Sequence, residues 1–342
     1  MRRGKEKQAM KCGRQAGRCP RLCTDAGSCT AGCDRRAGRR FAVLLFATGV
    51  VSAFPLPLCA QNGTVETTRA VLLPDERVFA SPVADPLEPR FAIGLVRTSL
   101  FETRGPERPL YRRSPGTAAE VQATAAIGTT IPLVRMATRA GGPRILIAAQ
   151  AAVFARFRVE HPSRDDLSQD WVVGVPIELA WTRTQARLRI VHRSAHLGDE
   201  FVESTGAQRI EMGGEAVEAL LARRLGSLRL YGGGGWIFHS NTDNTEVLLR
   251  NERADRFSLQ AGGDAILRPF ANPHWSLAAG ADWQSAQRSN WRSTFALAAA
   301  LRAEAGSREV RLSARYAGGA STVGQFFLTS EQAWTLELQL GT

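Results

Sequence analysis

Trp171-Val172-Val173-Gly174-Val175-Pro176-Ile177-Glu178-Leu179-Ala180-Trp181 decides how the rest of the chain is read. Trp171, Val173, Val175, Ile177, Leu179 and Trp181 fall on one face, and Val172, Gly174, Pro176, Glu178 and Ala180 on the other. A period of two is the signature of a strand. Here the face that is apolar throughout ends in tryptophan on both sides, while the opposite face carries small or charged groups, the reverse of a strand buried in a soluble core. Ten steps at about 3.3 Å span roughly 33 Å, and a tilt of about 40° reduces this to about 25 Å along the membrane normal, the height of the lipid-facing band of an outer-membrane barrel.

The pattern recurs. Trp275, Leu277, Ala279, Ala281 and Trp283 oppose Ser276, Ala278, Gly280, Asp282 and Gln284; Trp334, Leu336, Leu338 and Leu340 oppose Thr335, Glu337 and Gln339. Tryptophan at strand ends suits a membrane interface, because its ring is apolar and its N–H seeks a polar neighbour. A soluble β-sandwich would also alternate, but its outward faces would be polar. The expectation is therefore an all-β, antiparallel up-and-down transmembrane barrel.

The N-terminal region sets the compartment. Phe41 to Phe54 is a fourteen-residue, largely apolar run behind Arg39 and Arg40, too short for a membrane-spanning helix and suited to the core of a secretory signal. Cleavage is expected near Ala60; Leu58 before Cys59 stands where a lipoprotein signal needs a small residue. Residues 1–60 hold 12 of the 44 Lys and Arg and 3 of the 32 Asp and Glu, so the remainder carries 32 against 29 and the formal +12 shrinks to +3. That excludes a nucleic-acid reading based on basic charge. All six cysteines also precede residue 61, so no disulfide framework is expected in the exported part.

Three parts follow: a leader and signal peptide over 1–60, a proline-rich periplasmic extension or plug over 61–90, and a barrel over 91–342. The barrel is read as about twelve strands, at 91–101, 119–133, 144–159, 171–182, 186–196, 208–221, 228–239, 256–267, 275–284, 291–302, 308–316 and 333–341, with a bulge near Met212 to Val217. Connections alternate between long and short, apart from the turn after the ninth strand, which places both termini in the periplasm and the long loops outside. Inward parity lines the lumen with Arg144, Gln150, Arg156, Arg158, Glu178, Arg187, Arg189, Arg193, Glu211, Arg229, Gln260, Asp264, Asp282, Arg292, Arg302, Arg311, Arg315 and Glu337. Mixed signs favour an internal salt-bridge network over an open selective pore.

His192-Arg193-Ser194-Ala195-His196-Leu197-Gly198-Asp199-Glu200-Phe201, then Tyr231 to Ser240, then Gly324-Gln325-Phe326-Phe327 resemble a bacterial family known as domain of unknown function 1207, and Leu73 to Phe91 fits it too. The resemblance covers roughly residues 72–340 and implies an outer-membrane location without an activity. Within these motifs His196, Gly198, Phe201, His239, Ser240 and Gln325 gather, with His192 and His161, at long-loop ends of strands, whereas His274 lies at the other rim. A site is thus expected at the extracellular mouth.

His192 and Ser194 share the outward face of one strand with Leu188 and Ile190, about 6 to 7 Å apart. The pair is similar to the His-x-Ser of outer-membrane phospholipases and lipid A deacylases. That resemblance implies Ser194 as nucleophile and His192 as base, with Asp199 or Glu200 to orient the imidazole. Those enzymes follow the serine with Asn, and this chain has Ala195. The alternative is that these are interfacial polar groups of a non-catalytic envelope or gated-lumen protein. A metal site from His196, Asp199 and His239 across loops is the weakest candidate, since His192 and His196 on a strand stand about 13 Å apart. Gly232 to Gly235 is no phosphate loop, because no Lys-Ser/Thr follows. No cofactor is implied; the expected partners are outer-membrane lipid and the barrel-assembly machinery.

Overall fold

The computed structural model describes residues 70–101, 120–138, 141–160, 162, 164–207, 209, 212–240, 256–306, 308–327 and 329–341. The signal segment with its cleavage point, His161 and Glu211 lie outside the described residues. Thirteen strands run in chain order: β1 (Ala70–Leu72), β2 (Phe91–Phe101), β3 (Glu120–Ala137), β4 (Arg144–Phe157), β5 (Asp166–Ala180), β6 (Thr184–Leu197), β7 (Met212–Leu225), β8 (Leu228–Ser240), β9 (Phe257–Leu267), β10 (Trp275–Ala286), β11 (Ser293–Ala305), β12 (Arg308–Ala320) and β13 (Ser330–Gly341). One helix, α1 (Asp199–Thr205), follows β6, and single 3₁₀ turns occupy Gln287–Ser289 and Gly324–Phe326. No helix among the described residues is long and apolar enough to cross a membrane, which says nothing about strands.

Strands β2 to β13 each pair antiparallel with their chain neighbours, and β13 returns to β2 through pairs from Leu340↔Phe91 to Ser330↔Phe101. The result is a closed twelve-strand up-and-down barrel. Closure removes every sheet edge. Its outer wall is apolar: Ile93, Leu95, Val173, Val175, Ile190, Phe295 and Leu336 are all more than half exposed. The alternate residues face inward and are buried, among them Gln150, Glu178, Arg187, Arg189, Arg229, Asp264, Asp282, Arg302, Arg315 and Glu337. Arg144 departs from the expected lining and is exposed at the short-turn rim, because its strand has only just begun there.

The connections alternate much as the sequence suggests. Short turns at 181–183, 226–227 and 306–307 share the end that holds both barrel termini, and the opposite end carries 158–165, 198–211, 287–292 and 321–329. The turn after the ninth barrel strand stays the exception: 287–292 is a compact 3₁₀ turn closed by left-handed Asn290 and Trp291, no longer than 268–274 at the other end. Gly226 and Gly306 supply the positive φ that two-residue hairpins demand. In β8, Gly233 lies so close to β7 that a Cβ would sit 1.9 Å from the Ala219 carbonyl oxygen. The bulge falls where the phase change points, between Glu215 and Ala216, but the extra residue is Phe238 on β8.

The segment before the barrel is not simply irregular. Ala70–Leu72 pairs with Val134 to Met136 of β3, so a short strand exists where the prolines hid any periodicity. Residues 74–90 then pass into the lumen as a strap. Phe79 is fully buried against Leu220, Ala222 and Tyr231, with the guanidiniums of Arg187 and Arg229 at 4.8 and 5.7 Å from its ring.

Candidate functional site

Two adjoining regions hold the polar groups that the strand alternation does not explain: the strap within the lower lumen, and the upper rim where the motifs meet. In the strap, Glu88 accepts from Arg187 Nη1 at 2.7 and 3.0 Å and from Ser81 Oγ at 2.9 Å, with Arg77 and Arg189 at 3.7 and 4.0 Å. Burial alone would raise the Glu88 carboxyl, but the surrounding Arg187, Arg77 and Arg189 charges overcome it and hold the group far below the usual carboxylate range. Arg77 donates to Glu178 through Nε at 2.9 Å and Nη2 at 2.5 Å, and the backbone N–H groups of Val78 and Phe79 donate to the other oxygen. Higher up, Asp85 accepts from Gln260 and Gln284 at 3.0 Å each. Arg90 reaches Glu337 at 2.9 Å. The mixed charges of the lumen are therefore satisfied largely through the strap.

At the opposite end a roof forms. Phe201 of α1 meets Phe326 edge to face at 6.1 Å, and Leu167, Leu197, Ala207 and Val323 complete the cluster. Gly198 caps α1 and receives Val202 N–H at 3.1 Å; a Cβ there would collide with the Asp166 carbonyl. Gln325 is buried and donates to the Ala195 carbonyl at 2.5 Å, and Gly324 N–H donates to Asp170 at 2.8 Å. Phe201, Gly198 and Gln325 thus pin the last long loop over the mouth.

On the outer wall beside this roof, His192 pairs with Glu215 of β7, and Glu215 with His239 of β8. His192 Nδ1 lies 3.0 Å from one Glu215 oxygen and His239 Nδ1 2.5 Å from the other. An ionised carboxylate only accepts, so each Nδ1 carries a proton, and in the neutral imidazole Nε2 is then the nitrogen with the lone pair. Ser194 lies on the same face as His192, opposite Trp171 and Gly213. Among the described residues no hydrogen bond joins Ser194 to His192. The arrangement can hold a base in its reactive tautomer next to a hydroxyl, with the two still uncoupled.

The expected orienting groups do not fill that role. Asp199 pairs with Arg209, and Glu200 stands beside it in the first turn of α1, out on the exposed roof. The carboxylate on His192 is Glu215, missed because only the register between β6 and β7 brings it there. The weak metal candidates also separate: His239 is committed to Glu215, Asp199 to Arg209, and His196 pairs in register with Gln169. Among the described residues no group of three or more His, Cys, Asp or Glu is arranged to hold a metal ion. Ser240 ends β8 and lines a cavity of about 240 Å³ that runs from the lumen side to the outer face at Ser194.

A family model described as "Protein of unknown function (DUF1207)" matches residues 53–337. No curated protein matches. Among solved structures, outer membrane phospholipase A from Escherichia coli is 11% identical, with 75% of this chain and 92% of that chain covered at a TM-score of 0.47. The COG4313 outer membrane channel from Pseudomonas putida F1 is also 11% identical, covering 77% and 98% at 0.42. The beta domain of the Bordetella autotransporter BrkA is 13% identical, covering 73% and 98% at 0.39. The molecule is a β-barrel resembling outer-membrane proteins.

Proposed function

We propose that this chain, which belongs to the DUF1207 family of proteins of unknown function, is an outer-membrane barrel held shut by its own N-terminal strap. In this reading it is a non-catalytic, gated-lumen envelope protein with its site at the extracellular mouth. The observation that carries the reading is Glu88, seated on Arg187 inside the lumen with Arg77 and Arg189 beside it. A buried charge pair of this kind blocks a path for solutes and is costly to break from one side. The apolar belt meets lipid and the tryptophans mark its borders. Fractionation with outer membranes and a mobility shift on unheated electrophoresis test the location. Planar-bilayer recording tests the gate: the parent protein stays silent, and removal of residues 74–90 produces channels. Steady conductance from the parent protein refutes the closed state.

A second reading is favoured by one further observation, the 3.0 Å contact between His192 Nδ1 and Glu215. It leaves Nε2 as base for Ser194, facing lipid, as an acyl hydrolase of the phospholipase or lipid A deacylase kind requires. Refolded protein is assayed for release of fatty acid from phospholipid and lipid A, with Ser194→Ala as control. Absence of turnover in the parent protein removes this reading.

A further inference from the structure

Arg288 is the one arginine of the upper chamber left without a partner by the described residues. It sits in the 3₁₀ turn Gln287–Ser289, and its guanidinium faces the space between the strap and the roof, over the Phe327 ring at 5.6 Å. It makes no hydrogen bond or ion pair there. Burial, and then the like charge of Arg193, weaken its hold on its proton; Asp170 and Glu218 oppose this from beyond ion-pairing distance. Neither is free to turn to it. Asp170 holds the Gly324 N–H, and Glu218 already accepts from both Arg189 and Arg193, at 2.6 and 3.0 Å. Arg189, Arg193 and Arg288 thus face Glu218 and Asp170, three guanidiniums to two carboxylates. A half-buried cation with no ion-pair partner is costly, and fork-shaped donors favour an acceptor with several oxygens and more than one charge.

We propose that the upper chamber binds an anionic phosphate group on Arg288 and Arg193. The space is ample: the cavity of about 240 Å³ is lined from within by Leu87, Arg193, Arg256 and Arg288, three guanidiniums against the one carboxylate of Asp170, and compares with roughly 10 to 15 Å³ for one water. It is also lined by Trp171, Ser194 and Gly213, which face outward. The β5–β6 and β6–β7 ladders are unbroken there, so the chamber meets the outer face over the rim at Ala195 and Met212 as well as opening at the mouth. The phosphate belongs either to the headgroup of an outer-leaflet lipid entering beside Ser194 or to a soluble solute. The site holds whether or not Ser194 reacts and whether or not the lumen conducts.

Full-length exported chain in a nonionic, phosphate-free detergent is titrated calorimetrically with inorganic phosphate and, separately, with a short-chain phosphatidic acid. At least one probe binds with a stoichiometry of one, and Arg288→Gln weakens it by tenfold or more, while Arg288→Lys retains part of the affinity. Gly213→Phe separates the sources, because a Cβ at Gly213 meets nothing within 4 Å and the ring extends over the outer opening. Loss of the phosphatidic acid signal with phosphate binding intact supports the lipid route. Retention of both supports the mouth. Protection of Arg288 from phenylglyoxal by phosphate, read by mass spectrometry on the parent protein, tests the same contact without a substitution. The proposal is overturned if neither probe binds the parent, if Arg288→Gln binds like the parent, or if Arg224→Gln at the far rim costs as much.

Discussion

Replacing Glu88 by Gln removes one charge from the inside of the barrel and leaves Arg187, only 2% exposed, without its bidentate acceptor. Removing one partner of a buried ion pair costs about 3 to 5 kcal/mol. Arg189 keeps Glu218, and Arg77 keeps Glu178, so the effect falls on one guanidinium, and the lower end of that range applies. About 3 kcal/mol corresponds to a rise of roughly 150-fold in the population with the strap withdrawn. Residues 61–342 contain no cysteine, so in a protein that begins at residue 61 Val78→Cys, at a position 2% exposed, provides a single reporter. When opening and closing outpace labelling, the rate of maleimide attack follows the open population. The double variant should label about two orders of magnitude faster than Val78→Cys alone, with the barrel band on unheated electrophoresis unchanged. A difference of less than about threefold would show that the strap is held by something other than Glu88, and the closed-lumen argument would fail with it.

Acid should act on the same reporter. The Glu88 carboxyl is depressed in the folded protein, so its contribution is complete above the unfolded value of about 4.3 and is lost as pH falls toward the folded one. Labelling at residue 78, divided at each pH by that of a free thiol to remove the thiolate dependence, should be flat from pH 5 to 8, within about twofold, and climb below pH 4. Phe79→Ala should release the strap comparably, by about 3 kcal/mol or more, since a fully buried ring is deleted from the lumen; hydrogen exchange of the 78–83 amides reads it. Gly233→Ala places a methyl 1.9 Å from the Ala219 carbonyl oxygen, and separation of β7 from β8 should cost about 1 to 3 kcal/mol, seen as a lower temperature for loss of the compact electrophoretic band. Phe201→Ala should loosen the roof by about 3 kcal/mol and raise exchange at 323–327 without affecting the strap.

The sequence was most legible where one physical rule acts on every residue. In β5, Trp171 to Trp181 alternates because one side faces an apolar surround and the other the lumen, and the pairing of β5 with β6 from Ser168↔Leu197 to Ala180↔Gln185 follows that alternation. Strand limits moved by a few residues, as with β3, which continues to Ala137, and β5, which begins at Asp166. Pro176 shows the limit of pattern reading: the β4–β5 ladder skips from Ile147↔Ile177 to Gln150↔Gly174, where proline has no N–H to give.

The candidate site was only half legible. His192 and Ser194 could be placed on one outward face because they lie two apart on one strand, and that spacing is local. Glu215 could not, because it reaches His192 through strand register across an intervening loop of which 208, 210 and 211 are not described. Proximity alone suggested Asp199 and Glu200, and the turn into α1 carried both away onto the roof. The strap escaped for a related reason. Pro74, Pro82, Pro86 and Pro89 erase periodicity, yet Arg77, Phe79 and Glu88 find partners a hundred or so residues away.

By itself the sequence determined an apolar-out barrel of twelve strands and the rim at which its motifs gather, since alternation and loop length are properties of neighbouring residues. Tertiary structure alone decided that Glu88 would meet Arg187 inside the lumen, that Glu215 would hold His192, and that Arg288 would face a chamber without an ion-pair partner among the described residues. Each of these depends on groups brought together by barrel closure, and the energy of a charge is set by what surrounds it in space.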